Sequence, residues 1–290
     1  MQLDIFEHSR DTMLRNDVVA ALGRREASAA RGAWRAFCEE FPLDETVPKL
    51  EALVRTVECW TTAPFPDHEA LRDARLALVN DIEPAALRML GAKDGAAWLA
   101  REWQALAQRA ARLAFRADRG EDHAAPLALR AGDWPAAIGC VAGIESWRRI
   151  PAPLCWMTEA RYRNDGLNGA WALLAELAWL SPERLDRLLK RLADPALNRL
   201  VRRFATGFDG DGGTDDLAWF PAWALIEEPG LARVLGQAQR SQWGPAEQAM
   251  RIVLELLGLE RQGRHHDVVE RRKALRDLSS ALFASYMATR

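Results

Sequence analysis

Asp209, Asp211 and Asp215 lie in TGFDGDGGTDD (206–216), a stretch with the acidic spacing that opens a calcium loop. A helix-loop-helix calcium site needs glycine at its sixth place and a bidentate acid at its twelfth. Counted from Asp209, those places hold Thr214 and Phe220, so charge and closure are both missing and a solvated acidic loop is expected. His265-His266-Asp267 with Glu270 could suggest a metal. Neighbouring helical residues point about 100° apart, however, and do not converge on one ion as an i, i+4 pair would. His68-Glu69 lacks the second histidine of HExxH, and a polar helix face is the expected reading for both histidine clusters. Cys38, Cys59, Cys140 and Cys155 form no CxxC pair and have no histidine at ligand spacing, so buried free thiols are expected. With no GxSxG and no phosphate-binding glycine loop, no catalytic residue, metal site or cofactor is expected and the chain reads as non-enzymatic.

Charge offers a different chemistry. The net charge is −2, which argues against general nucleic-acid affinity but leaves local basic faces open. Arg184, Arg187, Lys190, Arg191, Arg199, Arg202 and Arg203 face only three acids between 183 and 203, and form a candidate basic surface for a phosphate backbone or an acidic partner. Arg261, Arg264, Arg271, Arg272, Lys273 and Arg276 form a second group. Solvated outer faces of amphipathic helices explain both groups equally well. Most of the twelve tryptophans, among them Trp34, Trp98, Trp103, Trp171 and Trp179, fall on apolar helix faces. Trp219-Phe220-Pro221-Ala222-Trp223 is the segment expected to expose an aromatic patch.

The elements that must position these residues are helices. Leu185, Leu188, Leu189 and Leu192 recur at i, i+3, i+4 and i+7, and Leu197, Leu200, Val201 and Phe204 repeat the stencil. Ser181-Pro182-Glu183 and Asp194-Pro195 mark the two starts with a capping side chain and a first-turn proline. Strand alternation is nearly absent, so the expected class is all-α. No apolar run reaches the roughly 18 residues of a membrane span and no secretory leader is evident, so a cytoplasmic protein with no membrane partner is expected. The bias to arginine over lysine (four of 39 basic residues) points to a GC-rich bacterial genome.

The helices come in pairs. Residues 15–42 read as helix, polar turn and helix, with Ala30, Trp34, Phe37 and Phe41 on one face. Residues 157–182 repeat the shape with a turn at Gly166, and 127–144 turn at Gly132-Asp133. Gly132 to Gly166 and Ala136 to Ala170 both span 34 residues. This interval, with its small-residue, aromatic and terminal-proline positions, resembles the tetratricopeptide repeat. The chain lacks several of that family's large aromatic positions, so the resemblance implies a degenerate array of stacked antiparallel helical hairpins, an α-solenoid whose groove binds a protein or peptide. The expected division is an N-terminal peptide (1–9), N-terminal hairpins (10–116) and a C-terminal array (127–290), with RADRGEDHAAP (116–126) as the seam.

Gln2, Leu3, Asp4, Ile5 and Phe6 form the remaining candidate site. They closely resemble the pentapeptide Gln-Leu-(Ser/Asp)-Leu-Phe with which many bacterial replication and repair proteins bind the sliding clamp, and only Ile5 departs from it. The resemblance implies a Gln2 amide at a polar site, with Leu3, Ile5 and Phe6 in an apolar cleft of the ring. The rival expectation is local: Ser9 caps a helix and Ile5 or Phe6 folds back on Met13, Leu14 or Val18.

Overall fold

The computed structural model describes residues 3–241 and 244–290, with side chains from residue 10 onward. The described residues are all-α, and none of their helices is long and apolar enough to cross a membrane. The chain divides into two compact units, Met1–Asp133 and Trp134–Arg290. The 116–126 stretch falls inside the first.

The first unit holds α1 (Leu3–Arg24), α2 (Ala27–Glu40), α3 (Val47–Glu58), α4 (His68–Ala77), α5 (Glu83–Leu90), α6 (Ala92–Ala110) and α7 (Ala124–Ala131). Successive helices pack as neighbours: α1 on α2, α2 on α3, α5 on α6 and α6 on α7. Their shared core includes Val18, Leu22, Ala30, Phe37, Leu50, Leu53, Leu71 and Leu127. The hairpin expected at 15–42 is present, with Ala30 and Phe37 fully buried. Its turn is unusual, because Arg25 takes φ 60° without being glycine. Such a conformation costs about 1 kcal/mol or more. It sends the Arg25 side chain inward, where it meets Glu102 and lies 5.4 Å from the Trp98 ring centroid.

Between α4 and α5 the helix widens into a π-helical turn, Leu78–Ile82, in which the Glu83 N–H bonds the Leu78 carbonyl five residues back. Pro84 is the physical cause. In a straight α-helix its ring would strike the carbonyl of Asn80 and its missing N–H would leave that carbonyl unbonded, so the chain widens ahead of it. Farther on, His123 caps α7 by accepting the Ala125 N–H at Nδ1, 3.2 Å away. Burial and nearby His68 pull its pKa down to about 4, so this nitrogen is bare at neutral pH. The loop carrying His123 is tied to α4 by Arg75–Asp122 (2.9 Å) and by His68 Nε2 against the Ala114 carbonyl (2.9 Å).

The second unit runs through α8 (Trp134–Ala142), α9 (Pro151–Leu180), α10 (Pro182–Leu192), α11 (Pro195–Gly207), α12 (Phe220–Glu227), α13 (Ala232–Leu235), α14 (Pro245–Arg261), α15 (His265–Leu278) and α16 (Ser280–Ala288). Gly166 interrupts α9 with φ 75° and ψ −174°. Two contacts hold the arm before the break. Arg191 at the end of α10 grips Glu159, and the Tyr162 hydroxyl donates at 2.9 Å to Asp194, the residue that caps α11. The glycine at which the sequence predicts a turn is where the helix kinks. Glycine is needed there because side chains rarely tolerate that φ.

The leucine stencils of α10 and α11 are buried as their spacing predicts, apart from half-buried Val201. Asp194 caps α11 by accepting from Ala196 N and Leu197 N at 2.9 and 2.8 Å. Ser181 occupies the capping position of α10 but makes no side-chain cap bond. Phe204, Phe220 and Trp223 meet edge to face at 5.5 Å, and Trp171 stacks on Phe220 at 6.3 Å. The WFPAW segment expected to expose an aromatic patch is therefore core: Phe220 is 1% exposed and Trp223 3%. Its apolar residues are drawn into this cluster because it forms the first turns of α12, which packs on α9, α11, α14 and α16.

Candidate interaction sites

The seven basic residues predicted as a surface separate by what they touch. Arg191 makes a forked contact with Glu159 at 3.0 and 2.6 Å, and Glu159 is nine-tenths buried. Lys190 pairs with Asp186 at 2.6 Å, and Arg203 pairs with Glu227. These three charges are met within the fold. Arg184, Arg187, Arg199 and Arg202 have no carboxylate partner among the described residues, and Arg187, Arg199 and Arg202 are exposed. Each of the two helices thus carries two arginines one turn apart that meet no carboxylate, although Arg187 donates to the Glu183 carbonyl at 3.3 Å. The C-terminal group is largely neutralised: Arg264 meets Asp267, Arg271 meets Glu255, Arg272 meets Glu260 and Arg276 meets Asp277.

At the N-terminus, Gln2 and the side chains of Leu3, Asp4, Ile5 and Phe6 lie outside the described residues. The backbone from Leu3 belongs to α1, which runs through Ser9 without a break. Ser9 is therefore mid-helix and does not cap, because the helical backbone continues N-terminal to it.

Other sequence candidates resolve into structure. Asp216 turns its carboxylate onto the Asp211 and Gly212 N–H groups at 3.2 and 2.7 Å, closing the glycine-rich loop on itself, while Asp209, Asp211 and Asp215 are exposed. No cluster of metal-ligating residues occurs among the described residues. All four cysteines are free, but only Cys155 is buried, and Cys59 is exposed. It lies just past the end of α3, where the chain leaves the core, so its apolar neighbours do not cover it.

The site that pattern reading missed is a cleft of about 590 Å³ in the first unit. α3 supplies Ala52 and Arg55, the segment after it supplies Cys59 and Trp60, α4 supplies Ala77, the π-helical turn supplies Asp81 and Ile82, and α6 supplies Glu102, Ala105, Leu106 and Arg109. Trp60 is 53% exposed. Glu102, 4% exposed, sits 2.5 Å from Arg25 Nη2, yet its Oε1 receives no well-aligned N–H. The contact distance and the missing hydrogen bond describe one geometry: the charges are close, but the donor is not aimed at the oxygen. Burial pushes the Glu102 carboxyl above its ordinary range against the pull of Arg25. Arg109 lies 3.9 Å from the Phe65 ring centroid and donates to the Ala63 carbonyl at 2.9 Å, which fixes the linker along the end of α6. One local signal for the cleft was present in the chain, the Asn80-Asp81-Ile82-Glu83-Pro84 run that forces the π turn. Compared with models of protein families, with curated proteins and with solved structures, the chain matches none.

Proposed function

We propose that this chain is a non-enzymatic interaction protein, an adaptor or scaffold that holds a partner polypeptide in the cleft of its first unit. The supporting observation is the cleft itself, a concavity with alanine walls and an exposed tryptophan beside it. Tryptophan is over-represented among residues that dominate binding energy, and an indole left half in water gains from being covered. Stacked helical hairpins of the tetratricopeptide type generate such grooves, and the 34-residue spacing and the break in α9 at Gly166 support that arrangement. The test is to place a photo-crosslinking amino acid at position 60 in cells of the source organism. A discrete adduct with one protein is expected, absent when the same group stands at position 43, an exposed position outside the cleft. Identical products from the two positions would overturn the reading.

A second reading rests on Gln2–Phe6: an accessory protein of bacterial DNA replication or repair, tethered to the sliding clamp. Engaging the ring in extended form would require the first turn of α1 to open, which costs few hydrogen bonds at a helix end. In that reading Arg184, Arg187, Arg199 and Arg202, which meet no carboxylate, would meet nucleic acid, and binding would weaken steeply with salt. Binding to the purified clamp of the same organism, lost in Leu3→Ala/Phe6→Ala, is the expected result. Binding indifferent to that double change would remove it.

A further inference from the structure

The charged side chains lining the first-unit cleft are Arg55, Asp81, Glu102 and Arg109. All but Asp81 are answered inside the fold. Arg55 pairs with Glu51 at 2.6 Å, and Glu102, more than nine-tenths buried, meets Arg25 at 2.5 Å. Arg109 lies 3.9 Å from the Phe65 ring centroid and donates to the Ala63 carbonyl at 2.9 Å. Asp81 has no ion pair or hydrogen bond among the described residues, but it is exposed and keeps its water. The hydroxyls are engaged as well. Thr56 donates to the Ala52 carbonyl at 2.8 Å, and Thr61 accepts the Ala63 N–H at 3.1 Å.

What the fold leaves uncovered is apolar. Ala52, Ala74 and Ala105 line the cleft half-buried, Ala77 lines it exposed, and Trp60 stands 53% exposed beside them. α3, α4 and α6 thus bring methyl groups together around a space that no side chain of the first unit fills. A charged side chain entering that space would shed water, and the lining charge left unanswered, Asp81, is itself in water. An apolar side chain sheds nothing it needs and gains by leaving water.

We infer that this cleft takes uncharged, apolar side chains of the partner polypeptide, laid against Trp60 and the alanine wall. At about 590 Å³ it has the size of a small-molecule pocket, with room for two neighbouring side chains. Recognition of this kind draws its strength from buried area and not from ion pairs, so salt hardly changes it. The inference rests on the adaptor reading and specifies what the adaptor recognises.

The test uses the full chain labelled with 5-fluorotryptophan, with the Trp60 resonance assigned by Trp60→Phe. Three capped heptapeptides, alike except for a central Leu-Phe, Lys-Lys or Glu-Glu, are titrated in. The Leu-Phe peptide should shift the Trp60 line saturably, with an affinity that changes less than about twofold between low and high salt. The two charged peptides should leave the line in place. Ala77→Glu puts a carboxylate on the wall and should weaken the Leu-Phe peptide about tenfold. Ala77 is exposed at the end of α4, and unmoved lines from the other tryptophans would verify that the variant is folded. A charged peptide that binds as well as Leu-Phe, a steep salt dependence, or an unchanged affinity in Ala77→Glu would overturn the proposal. A discrete adduct at position 60 alongside a silent Leu-Phe peptide would sink this inference and leave the adaptor reading standing. With no adduct, the adaptor reading falls whatever the peptides do.

Discussion

Glu102 in the first unit and Glu176 in the second are the same residue type at nearly the same burial, 4% and 5% exposed, and each faces an arginine. Their surroundings differ. Glu176 accepts from Arg148 Nη1 and from the Gln239 N–H, both at 2.7 Å. Its neighbour Glu247 takes the Ser241 hydroxyl at 2.8 Å, and Arg251 reaches the Ala238 carbonyl at 2.7 Å, so 238–241 is strapped down by buried charge. Glu102 meets only Arg25 of the α1–α2 turn and borders a cleft. Burial raises both carboxyls, but the bonds around Glu176 are complete and those around Glu102 are not. Equal depth therefore does not mean an equal structural role: what a buried charge holds in place is set by its hydrogen bonds.

The largest expected effect sets the two units apart by pH. His123 must stay neutral to cap α7, and its folded pKa of about 4 lies below the ordinary 6.5. The unfolded chain therefore binds the proton more readily. The associated stability is complete above pH 6.5 and is lost as pH falls toward 4, amounting to about 3 kcal/mol. Glu102 and Glu176 act in the opposite sense: with raised pKa values, they contribute stability at low pH that is lost as pH rises through their folded values. The protection of α7 amides, measured against the intrinsic exchange rate at each pH, should fall between pH 6.5 and 4 while that of α9 is spared, and His123→Asn, which can still cap, should flatten the response. An α7 profile unchanged in that variant would refute the assignment.

Next in size is the carboxylate pair itself. Glu176→Ala should cost about 1–2 kcal/mol in urea unfolding, because it removes the acceptor that holds both Arg148 and the 239 backbone, discounted because Arg148 is more than a third exposed. Glu102→Gln should cost under about 1 kcal/mol, since it removes a charge that desolvation already disfavours and Arg25 keeps its stacking on Trp98. Equal losses in the two variants would erase the distinction between them.

The contrast explains what could be read before folding. Helices were legible because leucines at 185, 188, 189 and 192 obey a local period, and the breaks at Gly132 and Gly166 were legible because glycine tolerates the positive φ that interrupts a helix. The cleft was not, because its walls come from residues 52 to 109 and its tryptophan sits in coil, where no helical face could place it. Basic residues were over-counted for a related reason. Arg191 is answered by Glu159, 32 positions away, and Arg203 by Glu227, 24 away, partners that only tertiary folding supplies.

That over-count yields the third comparison. Arg191→Ala leaves Glu159 nearly buried without its fork and should cost about 1–2 kcal/mol, discounted because the arginine is itself half exposed. Arg187→Glu, on the same helix, should be close to neutral in stability, yet it should lower affinity for any acidic or nucleic-acid ligand the face holds. Urea midpoints that fall together for the two would mean that the helix face is uniformly structural.

A stability effect nearly as small belongs to Trp60. Truncating a tryptophan in a core costs about 3–5 kcal/mol because its packed area is lost. Trp60 is half in water and has no hydrogen bond among the described residues, so Trp60→Ala should move the midpoint by no more than about 0.5 kcal/mol. Trp171→Ala, at 2% exposure in the second unit, should show the full core cost. An exposed indole that folding does not use is costly to keep in solvent unless something covers it, so a near-silent Trp60→Ala that nonetheless loses the position-60 partner would place its role in binding. A loss of stability approaching that of Trp171→Ala would instead make Trp60 part of the first unit's own packing, and the cleft would lose its anchor.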